Sequence, residues 1–198
     1  MQFVRKSISA IGRVAIKLER AADRCVQVLH DLIKTRGELN KSKIDYIVQE
    51  AIIVIKDIFR KYPNRYESII KDLCNNLKAL DNSEARSAMI WIIGQYGELI
   101  ENSISLIHDF SENFQEESKN VQLAILNASV KIYLKLEGEA EELVTQVLQM
   151  ATDECDNPDI RNRGYIYWRM LSDNPEEAKK IILCEKPAIS EDSGHIET

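Results

Sequence analysis

The stretch Ala85-Arg86-Ser87-Ala88-Met89-Ile90-Trp91-Ile92-Ile93-Gly94-Gln95-Tyr96 decides the fold. Ala85, Met89, Ile92 and Tyr96 stand at offsets 0, +4, +7 and +11, which puts them on one side of a helix with 3.6 residues per turn. The same stripe occurs four more times in the chain. It reads Val4, Ile8, Ile11, Ala15, then Val48, Ile52, Ile55, Phe59. After the quoted copy come Val121, Ile125, Ala128, Ile132 and finally Ile160, Gly164, Tyr167, Leu171. Each stripe opens on an apolar residue followed by Arg or Gln: Val4-Arg5, Val48-Gln49, Ala85-Arg86, Val121-Gln122 and Ile160-Arg161. The intervals are 44, 37, 36 and 39 residues, a repeat of about 40.

Amphipathic segments lie between the stripes, over 20–36, 66–80, 103–115, 139–152 and 175–184. Their boundaries have chemical causes. Asn157 before Pro158 and Asn174 before Pro175 each pair a capping side chain with a proline at the first helical position. Ser83 before Glu84 is a further start signal, and Pro63-Asn64 stops the helix that holds Phe59. Gly37 to Ser42 is a polar break. The expected fold is all-α: an α-solenoid of antiparallel helix pairs, a HEAT or armadillo-like superhelix, in which each pair covers its neighbour's apolar side. The first and last helices have no partner on their outer sides, so an interior piece of a longer array, or a truncated product, is expected. Residues 1–186 form the array, and residues 187–198 read as a polar linker.

Composition agrees with this reading. Of 198 residues only 7 are Gly and 4 Pro, too few for the turns of an all-β domain. The net charge of -6 hides an asymmetry: residues 1–80 carry 16 Lys/Arg against 9 Asp/Glu, and residues 81–198 carry 10 against 23. The overall sign opposes nucleic-acid binding and direct attraction to an anionic membrane. Cys25, Cys74, Cys155 and Cys184 form no CxxC pair, which leaves a zinc site without local support. All but Cys155 lie in apolar helical patterns, and a reducing compartment suits them. The longest apolar run, Ala88 to Ile93, is far below the roughly 20 residues of a membrane span.

The search for chemistry finds no constellation. His30 and His108 fall on polar positions of separate helices and His195 lies in the tail, so no general base is assigned. No HExxH, GxSxG, Walker or dinucleotide-binding glycine pattern occurs. Gly94 and Gly97 are read as helix-packing glycines inside one helix. The carboxylates Glu137, Glu139, Glu141 and Glu142 lack the alternation of a calcium loop and suit a helix start. The cations Lys56, Arg60, Lys61 and Arg65 suit a helix end. Arg163-Gly-Tyr-Ile-Tyr-Trp-Arg169 has the composition of a base-stacking platform. Because Tyr167 stands on the stripe, core packing is the reading adopted for these aromatics and for Trp91. No catalytic residue, cofactor or metal is expected.

Particular strings carry a resemblance. They are Phe3-Val-Arg-Lys6, Tyr46-Ile-Val-Gln-Glu-Ala51, Val54-Ile-Lys-Asp-Ile-Phe-Arg-Lys-Tyr-Pro-Asn64, Glu84 to Gly94, Asp156 to Ser172 and Cys184-Glu-Lys-Pro187. Over residues 2–190 the chain resembles the β-adaptins, the large β subunits of clathrin adaptor complexes, in the middle-to-C-terminal part of their trunk. The resemblance implies a HEAT-type trunk that joins a second large adaptin, a medium μ-type chain and a small σ-type chain. It implies a non-catalytic role in clathrin-coated vesicle formation on the cytosolic face of Golgi, endosomal or plasma membranes. Clathrin contact then belongs to a hinge and ear, membrane contact is indirect, and no nucleic acid is involved. The stretch Thr35 to Asp45 is longer than the family's usual connection and reads as a surface insertion. If the stripe helices line the concave side, their charges Arg5, Arg13, Arg86, Arg161 and Arg169 are candidate partner contacts. The competing reading is another HEAT scaffold, such as a coatomer-like subunit, a nuclear-transport receptor or a phosphatase scaffold.

Overall fold

A computed structural model describes residues 2–34, 41–75, 77, 80–136 and 139–184, with residues 41–44 given by their backbone alone. Among these residues there are helices and no strand. They gather into two compact units, one running to Ala85 and one beginning at Arg86.

The first unit holds α1 (Gln2–Lys17), α2 (Glu19–Lys34), α3 (Lys41–Lys61) and the short α4 (Ile70–Cys74), which a 3-10 turn at Glu67–Ile69 leads in. Only Leu18 separates α1 from α2, and the two helices pack on each other, so they run antiparallel. α3 packs on both and carries the core: Val48, Ile52, Ile55 and Phe59 are all buried. α3 stops at Lys61, two residues before Pro63, and the chain turns through Asn64 at φ 60°, the left-handed region that asparagine tolerates. α4 is much shorter than the helix expected over 66–80. Of the expected insertion, residues 35–40 lie outside the described residues, while Lys41 to Asp45 belong to α3. The polar break read from Gly37 to Ser42 therefore ends by Lys41.

α5 (Ser83–Gln95) leads from the first unit into the second, which continues with α6 (Ser103–Ser111), α7 (Lys119–Lys135), α8 (Glu141–Gln149), α9 (Pro158–Asp173) and α10 (Pro175–Ile182). A π turn, Met150–Glu154, extends α8. α7 is the centre of this unit, packing on α6, α8, α9 and α10. Its stripe Val121, Ile125, Ala128 and Ile132 is buried, and so are Leu126, Ser129 and Val130 on its other sides. Burying an Ile or Val side chain is worth about 1.5–3 kcal/mol, so α7 supplies much of the unit's cohesion.

Caps follow the sequence closely. Asn157 Oδ1 accepts from the Asp159 amide at 3.0 Å, and Asn174 Oδ1 accepts from the Glu177 amide at 3.2 Å. At α5 the cap is Asn82, whose Oδ1 accepts from the Glu84 amide at 2.7 Å, one residue earlier than Ser83 suggested. No helix among the described residues is long and apolar enough to cross a membrane.

The stripes of α3, α5 and α7 are completely buried. Those of α1 and α9 are only half covered: Ile8, Ala15, Ile160 and Gly164 are buried, but Val4, Ile11, Tyr167 and Leu171 are not. Gly94 explains how α5 meets α7: a Cβ there would lie 2.7 Å from the Ala128 Cα and Cβ. Gly97 packs beside Ile132 in the 3-10 turn that follows α5, not within the helix. Substituting Gly94→Ala is expected to cost about 1–3 kcal/mol, because the obstructing atoms are the Ala128 Cα and Cβ, which cannot swing away. The measurement is a lowered urea midpoint at unchanged slope. The double variant with Ala128→Gly should lose less than the two single losses added together, and strict additivity would refute the close contact.

Candidate interaction surface

The residue after each stripe's first position has a common task. Arg5 on α1 pairs with Glu50 of α3 at 3.4 Å and with Glu84 at 3.6 Å. Gln49 accepts from the Asn82 amide at 2.9 Å. Arg86 pairs with Glu117, just ahead of α7, and its guanidinium carbon lies 5.6 Å from the Phe110 ring centre. Gln122 donates to the Phe114 carbonyl at 2.8 Å, and Arg161 to the Cys155 carbonyl at 3.2 Å. A long polar side chain at this position thus fastens each stripe helix to a neighbouring helix or connection. Three of the five candidate contacts, Arg5, Arg86 and Arg161, are engaged inside the molecule in this way.

The other two candidates are exposed. Arg13 on α1 and Arg169 on α9 have no hydrogen bond or ion pair with the described residues, and neither has Arg163. Elsewhere in the second unit the cations of α7 are tied down. Lys119 pairs with Asp159, Lys131 donates to Gln95 Oε1 at 2.8 Å and lies 5.9 Å from the Trp91 ring centre, and Lys135 donates to the Gln95 carbonyl.

The aromatic run on α9 corrects the core-packing expectation. Tyr165, Ile166 and Trp168 are 51%, 57% and 42% exposed. Tyr167 is half-buried and donates to Asn127 Oδ1 at 2.6 Å. Only one side of α9 faces the core, through Ile160 and Gly164, where a Cβ on Gly164 would meet Thr152 at 3.0 Å. Trp91 is likewise half-buried rather than core. The cysteines also depart from expectation: Cys155 is buried and Cys184 exposed. Burial pushes the Cys74 thiol up to about 11, so it stays protonated and unreactive at neutral pH.

α6 and α8 make an acidic side to the second unit. No Lys or Arg occurs from Gly97 to Ser118 or from Leu136 to Asn157. Glu101, Glu139 and Glu142 edge an open groove of about 550 Å³ with Ile104, His108 and Leu143 among its other walls. His108, Asp109 and Glu112 bring ligand atoms within 4.8 Å of one another, but all three are exposed on one helix, whose spacing alone produces such a group. Glu137 lies outside the described residues.

Two polar fixtures hold the first unit. Arg65 pairs with Glu19 at 2.9 Å and Asp23 at 3.2 Å, its guanidinium 5.6 Å from the Tyr62 and Tyr66 ring centres. Tyr66 donates to Asp23 at 2.8 Å, and burial together with that bond pushes its hydroxyl up to about 12. Further along the same face of α2, Asp72 of α4 meets His30 Nε2 at 2.7 Å and Lys34 at 3.1 Å. The His30 hydrogen bond, with Lys34 behind it, holds the Asp72 carboxyl below the usual carboxylate range.

One family and several relatives are similar to this chain. The family described as the adaptin N terminal region matches residues 1–175. The chain is 57% identical over 197 residues to AP-1 complex subunit beta-1 of Homo sapiens, a match covering 100% of this chain and 20% of that protein. It is 52% identical to AP-1 complex subunit beta of Dictyostelium discoideum, with the same 100% and 20% coverage. It is 46% identical over 194 residues to AP-2 complex subunit beta of Schizosaccharomyces pombe, covering 98% of this chain and 28% of that protein. The chain thus spans about a fifth of the length of the AP-1 relatives. What matches is the adaptin N-terminal region, and that coarser placement replaces the expected middle-to-C-terminal fragment.

The Asp72 fixture gives a pH dependence. A carboxyl with a depressed folded pKa adds stability above its unfolded value of about 3.9 and loses it as pH falls through the folded value. The thermal midpoint of the native chain is expected to fall more steeply below about pH 4 than that of Asp72→Asn. Parallel curves between about pH 2.5 and 6 would refute the contribution.

Proposed function

The chain belongs to the adaptin N-terminal-region family, and from that premise we propose that it is a non-catalytic scaffold portion of a β-type adaptor subunit. The observation that carries the reading is identity of 57% sustained over 197 residues with AP-1 complex subunit beta-1. The architecture supports it. Interior volume goes to helix-on-helix packing, and the polar side chains fasten helices to one another instead of converging on a reacting centre.

Residues 1–186 serve as the repeat region and residues 187–198 as a polar linker. The scaffold holds a second large adaptin, a medium chain and a small chain, and so contributes to clathrin-coated vesicle formation and protein transport. Clathrin contact is assigned to other parts of a β subunit. Placement on the cytosolic face of Golgi, endosomal or plasma membranes follows from the assembled complex, with no direct lipid contact from this chain. Among the arginine candidates, Arg13 and Arg169 suit partner contact, since their guanidinium groups are exposed and uncommitted. Arg5, Arg86 and Arg161 contribute through the fold.

Co-expression tests the assignment. The chain is expected to copurify with a second large, a medium and a small adaptin chain. Recovery instead with a GTPase-loaded transport complex or a phosphatase catalytic subunit would overturn it in favour of another HEAT scaffold.

A further inference from the structure

An arginine stands three residues before a serine at two places in the chain, Arg65-Tyr-Glu-Ser68 and Arg169-Met-Leu-Ser172. Arginine-directed serine kinases read that spacing, because carboxylates in their clefts take the guanidinium while the serine reaches the phosphoryl donor. A short motif of this kind acquires meaning only from its structural context. Both serines are exposed, and their surroundings separate them.

Arg65 is committed. It pairs with Glu19 at 2.9 Å and Asp23 at 3.2 Å and lies against the Tyr62 and Tyr66 rings. Ser68 sits between buried Tyr66 and buried Ile69 and Ile70. Drawing this segment into an enzyme cleft breaks the ion pairs and pulls three large side chains out of the core. Arg169, in contrast, is exposed and has no hydrogen bond or ion pair with the described residues. The Ser172 hydroxyl has no hydrogen bond with them either, whereas Ser7, Ser103, Ser111 and Ser129 all donate to backbone carbonyls. Ser172 is next to last in α9, and Asn174 alone separates α9 from α10. In α10 only Ala178 is buried. The last turn of α9 can therefore open locally while Ile160 and Gly164 keep the helix seated, and such limited opening costs far less than global unfolding.

We propose that Ser172 is a phosphorylation site for an arginine-directed serine kinase, with Arg169 as the residue the kinase reads. The Ser172 Oγ attacks the γ-phosphorus of a nucleoside triphosphate. The bond from that phosphorus to the bridging oxygen breaks, its electron pair leaves with the diphosphate, and the hydroxyl proton passes to the kinase's catalytic aspartate. Asp173 follows the serine, which excludes a proline-directed kinase, and Pro175 stands three residues on, where an acid-directed kinase takes a carboxylate. Once attached, the phosphate meets Arg169 one turn back on the same side of the helix, amid the exposed carboxylates Asp173, Glu176 and Glu177. Because Arg169 is also a candidate partner contact, the modification belongs to the chain before assembly. The inference does not depend on the scaffold reading.

The test incubates the purified 198-residue chain with ATP and calcium/calmodulin-dependent protein kinase II and locates the phosphate by tandem mass spectrometry. Synthetic peptides spanning 60–75 and 164–180 carry each motif free of the fold, and both are expected to be phosphorylated. In the folded chain Ser172 is expected to be modified at least about tenfold faster than Ser68. Arg169→Gln should slow transfer to Ser172 about tenfold or more, in chain and peptide alike. Arg163→Gln, exposed on the same helix, should leave the rate unchanged, and circular dichroism of both variants should match the parent. Phosphate on Ser68 of the folded chain at an equal or greater rate, none on Ser172, or equal rates in the parent and Arg169→Gln would overturn the proposal.

Discussion

An amphipathic helix cannot leave its apolar stripe in water, and everything in this protein follows from how that stripe is covered. Three stripes, on α3, α5 and α7, are completely buried. The coverage demands close approach, and at Gly94 the approach is so close that a single methyl would strike the backbone of α7. The cohesion is non-directional, which is why the repeat tolerates Val, Ile, Ala, Met or Tyr at equivalent positions. Burial alone does not fix the rotation of one helix against the next. That is the part played by the long polar residue after each stripe's first position.

Those side chains are nearly as regular as the stripe itself. Gln49 and Gln122 are buried and hydrogen-bonded, Arg5 and Arg86 reach carboxylates, and Arg161 reaches a carbonyl. A buried amide without a partner costs more than a satisfied one returns, so the contacts of Gln49 and Gln122 penalise misplacement of the helices that bear them. The result is a body whose polar chemistry is spent on geometry. Arg86 shows the strain of that arrangement: its Nε is buried without a hydrogen-bond partner while the rest of its head is shared between Glu117 and the Phe110 ring.

The helices, the stripes and the proline-marked starts of α9 and α10 were legible in the residues because each is a local matter of period and capping. The clasping role of the Arg/Gln position was visible only as a pattern, since its partners lie 6 to 79 residues away, from Arg161–Cys155 to Arg5–Glu84. The exposure of Tyr165, Ile166 and Trp168 was not legible. Helical period says which residues share a side, but how wide a sector neighbours cover depends on the helices packed beside α9. Cys155 escaped for the opposite reason: it lies outside any helix, yet the connection that carries it is packed inward. The short α4 escaped because apolar period tells which side of a helix is buried, not where the helix begins and ends.

The segregation of charge has a chemical consequence of its own. From Gly97 to Ser118 and again from Leu136 to Asn157 the chain offers no primary amine and no guanidinium. Acylating enzymes, ubiquitin ligases and trypsin-like proteases all need such a group, so α6 and α8 give them nothing to act on. Any lysine-directed tagging of the second unit must fall on the helices that carry the stripes or on α10, where Lys179 and Lys180 sit. Turnover signals and structural contacts would then compete for the same few residues.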